Sequence, residues 1–358
     1  MEQRRPQSTD RSQDGAGVYT QTNDPGGNQV IAYRRAADGT LTPLGAYDTG
    51  GRGTGKPHLA SQGSVVLSDD GRWLFVVIAG SDDLSVFAVG ADGLALVDRV
   101  DAGGMRPTSI AVHKELLYVL STGGAGDPAS LHGFNVSEDG RITPLDGSAR
   151  QLSQPNADPA QVGFSPDGAT LVVTDRATDT ISSYVVGQDG SVDGPTVLPS
   201  SGATPYGFDF TRAGVLVVTE AAGGKLGAAS ASSYALAGPG QLSLVSGSVG
   251  DTRSEVCWAA ITPDDRHVYV TNFGDGTVSS YTIADDGRLE LLQPVAGTTV
   301  EGQKGIRDEA VSRDGRYLFA LHADVQQLFG WQVQQDGSLT PVGAFGDLPT
   351  TVAGLAAR

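Results

Sequence analysis

Ser64-Val65-Val66-Leu67, Trp73-Leu74-Phe75-Val76-Val77, Leu84-Ser85-Val86-Phe87-Ala88-Val89 and Leu94-Ala95-Leu96-Val97 follow one another in close succession. Asp70-Gly71 separates the first pair and Asp92-Gly93 the last. Each run is short, rich in Val, Leu and Phe, and bounded by turn residues, which is the signature of β-strands joined by hairpins. No stretch carries apolar residues at helical spacing over ten or more positions, so a helical solenoid is excluded. Four strands in about 45–50 residues is the length of one propeller blade.

The same unit recurs outward in both directions. Asp38-Gly39, Asp92-Gly93, Asp139-Gly140, Asp189-Gly190, Pro239-Gly240, Asp286-Gly287 and Asp336-Gly337 place successive glycines 54, 47, 50, 50, 47 and 50 residues apart. Asp-Gly suits tight hairpins because both residues tolerate positive φ. A second series, Asp70-Gly71, Asp167-Gly168, Ala213-Gly214, Asp264-Asp265 and Asp314-Gly315, sits inside the same repeats. His113-Lys114-Glu115 replaces it in the third. The first repeat opens at Val18-Tyr19-Thr20 with only three strands, while residues 351–357 form a leftover strand at the other end. Pairing the two removes two exposed sheet edges. The expected fold is all-β: a seven-bladed β-propeller of four-stranded antiparallel blades over 17–358, closed by its C-terminal strand, with 1–16 as a disordered tail.

Composition narrows the partners. The chain has 358 residues, 24 Lys+Arg against 41 Asp+Glu, and a formal net charge of −17. Such a surface repels nucleic-acid phosphates and anionic lipid, so neither nucleic acid nor membrane is expected as a partner, and a monomer is. Cys257 is the sole cysteine, which excludes an internal disulfide and fits a reducing compartment. No apolar segment follows the early arginines, so a cytoplasmic location is expected. Gly-x-Ser-x-Gly, Walker, Cys-x-x-Cys and His-Glu-x-x-His motifs are all missing, and the glycine-rich stretches at 50–55 and 123–126 follow no βαβ pattern.

In a propeller, the loops leading into the innermost strands and the ends of the second strands share one face, the natural place for a small-molecule site. The lead-in loops supply His58, Arg106, Gln161, Tyr206, Trp258 and Arg307; the second-strand ends supply Asp175, Glu220, Asn272 and His322. A carboxylate in a half-dry funnel can act as acid or base, and an arginine can hold an anion or a developing oxyanion. Glu220 and Asp175, with Arg106 and Arg307, are therefore the catalytic candidates. Gln161, Tyr206, Trp258, Asn272, His58, His322 and Phe273 are candidates for holding a substrate. Each has a structural alternative: inter-blade hydrogen bonds for the carboxylates and arginines, packing for the imidazoles and aromatics. Cys257 reads as an inert packed thiol. A calcium site from Asn23, Asp175, Glu220 and Asn272 is conceivable from its oxygens, but no local spacing supports it, and neither metal nor cofactor is expected.

Ser165-Pro166-Asp167-Gly168, Val217-Val218-Thr219-Glu220 and Tyr269-Val270-Thr271-Asn272 resemble blades of the lactonase family, which includes propeller-type 6-phosphogluconolactonases and fungal carboxymuconate lactonizing enzymes. The resemblance covers about residues 17–357 and is strongest to bacterial lactonase-like proteins without assigned activity. It implies retained family positions at Glu220 and Asn272. Where members carry a His-x-His pair, this chain has Asp158 and Ala160; Tyr206-Gly207 stand for an Arg-His pair and Phe273 for an arginine. These replacements remove cations that a phosphorylated or tricarboxylate lactone needs. The expected function is acid/base opening or formation of a neutral or weakly charged lactone, or a related isomerisation. The alternative is a non-enzymatic propeller that binds a small molecule or protein across its funnel.

Overall fold

A computed structural model describes residues 16–358 except 125, 153 and 155. The expected tail therefore lies almost wholly outside the described residues. The apolar runs pair into seven antiparallel sheets, numbered here as blades 1–7 in chain order. Blade 2 runs Val65–Leu67, Trp73–Ile78, Asp83–Gly90 and Gly93–Asp101, from channel to rim. Blades 4, 5, 6 and 7 begin with Pro159–Phe164, Pro205–Phe210, Val256–Ile261 and Ile306–Val311 as their innermost strands. Blade 3 departs from the pattern, because its outer strand is broken into Ile142–Pro144 and Arg150–Gln151, both paired to Ser130–Val136.

The ring closes as expected. Ala353–Ala357 pairs antiparallel with Gly17–Gln21 and becomes the innermost strand of blade 1, with Val18 opposite Ala357 and Tyr19 opposite Ala356. Apolar side chains then fill each gap between blades. Phe75, Val77 and Val86 of blade 2, for example, pack on Ile110, Leu117 and Val119 of blade 3.

The Asp-Gly turns work differently from the sequence expectation. Only the glycine takes positive φ, while the aspartate side chain accepts the N–H two residues on, as in Thr40 to Asp38 (3.0 Å) and Ser338 to Asp336 (3.0 Å). The turns also join blades. Tyr118 and Tyr269 hydroxyls donate to the Gly190 and Gly337 carbonyls of the following blade at 2.9 and 3.0 Å, and Ser183 and Ser233 donate to Gly240 and Gly287 at 2.8 and 2.7 Å. The last joint crosses the ring closure, from the Tyr317 hydroxyl to the Ala37 carbonyl at 2.7 Å. Gly39 in that turn sits at φ +85°, and a Cβ there would lie 2.3 Å from the Tyr317 ring.

Candidate functional site

The residues that lead into the innermost strands set the geometry of the funnel. Arg106, Asp158 and Thr204 each precede a proline and take positive φ (54°, 49° and 59°), as does Glu255 (56°) before Val256. Left-handed backbone at a non-glycine residue is costly, and its recurrence at one place in the repeat marks the funnel rim as built for side-chain placement. Register Pro159 opposite Asp175 puts Asp158 beside Arg176, which it pairs at 2.8 Å.

The channel beneath is crossed by the Ser61–Gln62 segment. Gln62 donates to the Ala259 carbonyl (2.8 Å) and accepts the Ala259 N–H (3.1 Å), while its own carbonyl accepts the Ser109 hydroxyl (2.6 Å). Gln161 repeats the motif on blade 5, accepting the Phe208 N–H (2.7 Å) and donating to its carbonyl (2.9 Å). The Trp258 indole N–H is held by the Ser61 carbonyl at 3.1 Å.

Above this floor lies a cavity of about 470 Å³, lined by His58, Asp158, Arg176, Thr204, Tyr206, Glu255, Cys257, Trp258 and Phe273 together with small residues. Tyr206 and Trp258 pack with ring centroids 5.4 Å apart, and the Arg176 guanidinium lies 4.8 Å over Tyr206. Arg307 borders the same space: its guanidinium sits 5.5 Å over Phe273, donates to the Pro57 carbonyl and pairs with Asp324 at 3.4 Å. Burial lowers its pKa from the usual arginine value. Burial also pushes up the Tyr206 hydroxyl and the Cys257 thiol, which leaves the thiol protonated and unreactive at neutral pH.

Asp308, next in sequence to Arg307, is buried behind the residues that line the cavity rather than among them, 4 % exposed, with φ at +21°. One carboxylate oxygen accepts the Gly354 N–H at 2.9 Å. Burial raises its pKa to about 7, against the pull of Gly354 and the neighbouring Arg307. It is also within electrostatic reach of Tyr206 and Cys257. A buried carboxyl group poised near neutrality is of the kind that serves as an acid or base.

The residues expected from sequence therefore divide. His58, Tyr206, Trp258 and Phe273 meet at the cavity, and Arg307 borders it. The expectation that Glu220 faces the funnel does not hold. Its carboxylate is fully buried and accepts the Gly202 N–H (2.7 Å) and the hydroxyls of Ser230 (2.7 Å), Ser232 (2.5 Å) and Ser200 (3.4 Å). Asp175 and Asn272 occupy the same place in blades 4 and 6, bonding Ser182 (2.7 Å) and Ser279 (2.8 Å). All three brace the second strand of a blade against the first serine of a Ser-Ser-Tyr run on the third. Burial raises the Asp175 pKa to about 6.

The remaining candidates also lie outside the cavity lining. Gln161 has both ends of its amide on Phe208, so it belongs to the channel floor. His322 is buried under Gly305, where burial lowers its pKa. Arg106 is exposed on blade 3, with its guanidinium turned to the Gly123 carbonyl. Among the described residues, no group of three or more His, Cys, Asp or Glu could hold a metal ion, and Asn23 bonds Thr54 and the Lys56 carbonyl (both 2.9 Å). Sequence reasoning places Asp158, Arg176 and Asp308 on the funnel face but does not single them out as site residues. The Asp158–Arg176 pairing was available from strand register; burial of Asp308 was not.

Comparison with known proteins places this architecture. A 6-phosphogluconolactonase of Cronobacter sakazakii is 24 % identical over 320 residues, spanning 85 % of this chain and 86 % of the relative. A periplasmic gluconolactonase of Pseudomonas aeruginosa superposes with a TM-score of 0.71 at 20 % identity, covering 96 % of this chain and 98 % of the other. A protein from Lactobacillus plantarum gives a TM-score of 0.75 at 16 % identity, covering 96 % and 99 %. Those two likenesses establish the fold. No helix among the described residues is long and apolar enough to cross a membrane. The family model described as lactonase, 7-bladed β-propeller matches residues 27–156, 129–224 and 220–350, taking in every blade, and the chain belongs to that lactonase family.

Proposed function

We propose that this protein hydrolyses a neutral or weakly charged lactone in the cavity between His58, Arg176, Tyr206 and Phe273. The observation that carries the reading is the state of the two guanidinium groups. Arg176 is committed to Asp158 and Tyr206, and Arg307 to Pro57, Asp324 and Phe273. Their charge is balanced by Asp158 and Asp324, which leaves little to offset a phosphate, whereas the N–H groups not engaged there can still polarise a neutral carbonyl. Tyr206 and Phe273 offer flat apolar faces to a ring.

In this reading Asp308 replaces Glu220 as the acid/base. A water oxygen bonds to the lactone carbonyl carbon as its proton passes to the Asp308 carboxylate. The ring C–O bond then breaks, and the leaving oxygen takes that proton to give the hydroxy acid. The enclosed Glu220 carboxylate favours a second reading, a propeller that binds a small molecule or a protein without chemistry. The net charge of −17 and single cysteine support a cytoplasmic monomer in either case.

Turnover of δ-valerolactone, γ-valerolactone and 6-phosphogluconolactone, followed by acid release, separates the readings. Neutral lactones should be opened faster than the phosphorylated one, and Asp308→Asn should lower turnover by roughly 10²–10⁴-fold. A preference for the phosphorylated substrate defeats the proposal. Binding of neutral lactones without acid release transfers the site to the binding reading.

A further inference from the structure

His58 reaches the cavity from the loop before blade 2 and is half-buried there. Its ring stands edge-on to Trp258, with centroids 6.5 Å apart at 66°. Nδ1 accepts the backbone N–H of Ala60 at 2.7 Å, and Ala60 holds a left-handed φ of +52° that turns this N–H back onto the ring. A nitrogen that accepts a hydrogen bond carries no proton, so in the neutral ring the proton resides on Nε2. Among the described residues, Nε2 has no hydrogen-bond partner, although the side chain lines the cavity.

The surroundings oppose a second proton. Burial is the main cause, and the Arg307 and Arg176 guanidinium groups add to it, lowering the pKa to about 4. The carboxylates of Asp158 and Glu255 also line the cavity, but each has a cation of its own, Arg176 at 2.8 Å and Lys304 at 3.0 Å. Tyr206 and Cys257 line it in neutral form, and Lys56 precedes the ring by two residues. A histidine in this state cannot serve as a base through Nε2, because that nitrogen already holds its proton.

We infer that His58 is a fixed hydrogen-bond donor, a neutral imidazole locked as the Nε2–H tautomer and aimed at the carbonyl oxygen of a cyclic ester or amide in the cavity. The inference rests on the proposed lactone site but concerns carbonyl recognition, and it holds whether or not the carbonyl is then attacked. During hydrolysis the same N–H would stabilise the oxyanion as water adds, while the proton from water goes to Asp308.

Long-range ¹H–¹⁵N correlation of the full-length protein, with His58 assigned through loss of its signals in His58→Asn, tests this directly. The ring should show the neutral Nε2–H pattern throughout about pH 5 to 8. ε-Caprolactam, a ring amide that presents the same carbonyl, should shift Nε2 and leave Nδ1 nearly unmoved. Asparagine can still accept the Ala60 N–H, so His58→Asn keeps the loop while removing the reach of Nε2. It should lower kcat/KM on δ-valerolactone by roughly 10²-fold and weaken ε-caprolactam binding. An Nδ1–H tautomer, protonation near pH 6.5, or an Nε2 signal unmoved by lactam overturns the inference. A lactam shift without turnover of any lactone upholds the donor and defeats only the hydrolase reading.

Discussion

Gln62 of the loop before blade 2 grips Ala259 of blade 6 from across the channel, donating to its carbonyl at 2.8 Å and accepting its N–H at 3.1 Å. A side chain thereby completes a hydrogen-bonded edge 197 residues away in sequence and holds two non-adjacent blades at a fixed separation. Gln62→Leu should leave both Ala259 groups unsatisfied and cost about 2 kcal/mol, read as a lower denaturant midpoint at unchanged m. Gln62→Glu should cost more, since it sets an acceptor against the carbonyl.

Glu220→Gln should lower stability, because an amide cannot accept from Gly202, Ser230 and Ser232 together as the carboxylate does. A loss of about 1–3 kcal/mol is expected. Turnover per folded molecule should stay within about twofold, in contrast to Asp308→Asn. Parallel unfolding curves and single-substrate kinetics decide it, and a catalytic collapse in the well-folded Glu220 variant would return the acid/base role to that residue.

Stability should fall as pH rises from about 4 to 7. Burial lifts Asp175, Asp209 and Asp251 to about 6 and Asp308 to about 7, from an ordinary aspartate value of 3.8. Over that window these carboxyl groups bind more protons folded than unfolded, so each rise in pH weakens their contribution. That loss outweighs the opposite effect of buried imidazoles such as His58 and His322. A tenfold difference in proton affinity between the folded and unfolded chain is worth about 1.4 kcal/mol for an isolated group. Exposed turn carboxylates such as Asp189 and Asp336, held low by Ser191 and Ser338, withdraw their contribution only below about pH 4. Thermal scans at constant ionic strength should therefore peak near pH 4; a maximum near pH 8 would contradict the burial of these groups.

Deleting residues 350–358 should cost several kcal/mol, since it strips the innermost strand from Gly17–Gln21 and takes the Gly354 N–H from Asp308. Loss of the cooperative transition, or a much lower midpoint, is the expected result of a urea titration.

The protein should sediment as a monomer at low micromolar concentration in physiological salt. A formal charge of −17 opposes self-association, and large exposed apolar side chains such as Leu96 and Leu244 sit on different blades. Sedimentation velocity that resolves a stable dimer contradicts this.

The fold was legible because the repeat writes it seven times. Turn spacing, strand composition and the three-stranded opening repeat sufficed to place the Ala353–Ala357 closure. The site was legible only in part. Tyr206 and Trp258 follow from position in the blade and Phe273 from the family resemblance, but position does not reveal which polar groups are already satisfied. Glu220 looks like a free acid in sequence because its partners Ser230 and Ser232 become partners only after the third strand pairs back at Glu220–Ser230. Asp308 looks like an ordinary loop carboxylate until burial beside Trp258 shifts it.

Ring closure also bears on synthesis. Thr20 donates to the Ala353 carbonyl at 3.3 Å, a contact spanning 333 residues, and Gly17 accepts from Arg358 at 2.8 Å. On a ribosome adding about 5–20 residues per second, the opening strands wait tens of seconds for their partner. Six blades can assemble while the chain emerges, but the first stays three-stranded, and Asp308 lacks Gly354, until the C-terminal strand is released. A chain whose translation stalls before that strand displays the unpaired edge of Gly17–Gln21, a template for pairing with other chains, before Gly354 can reach Asp308.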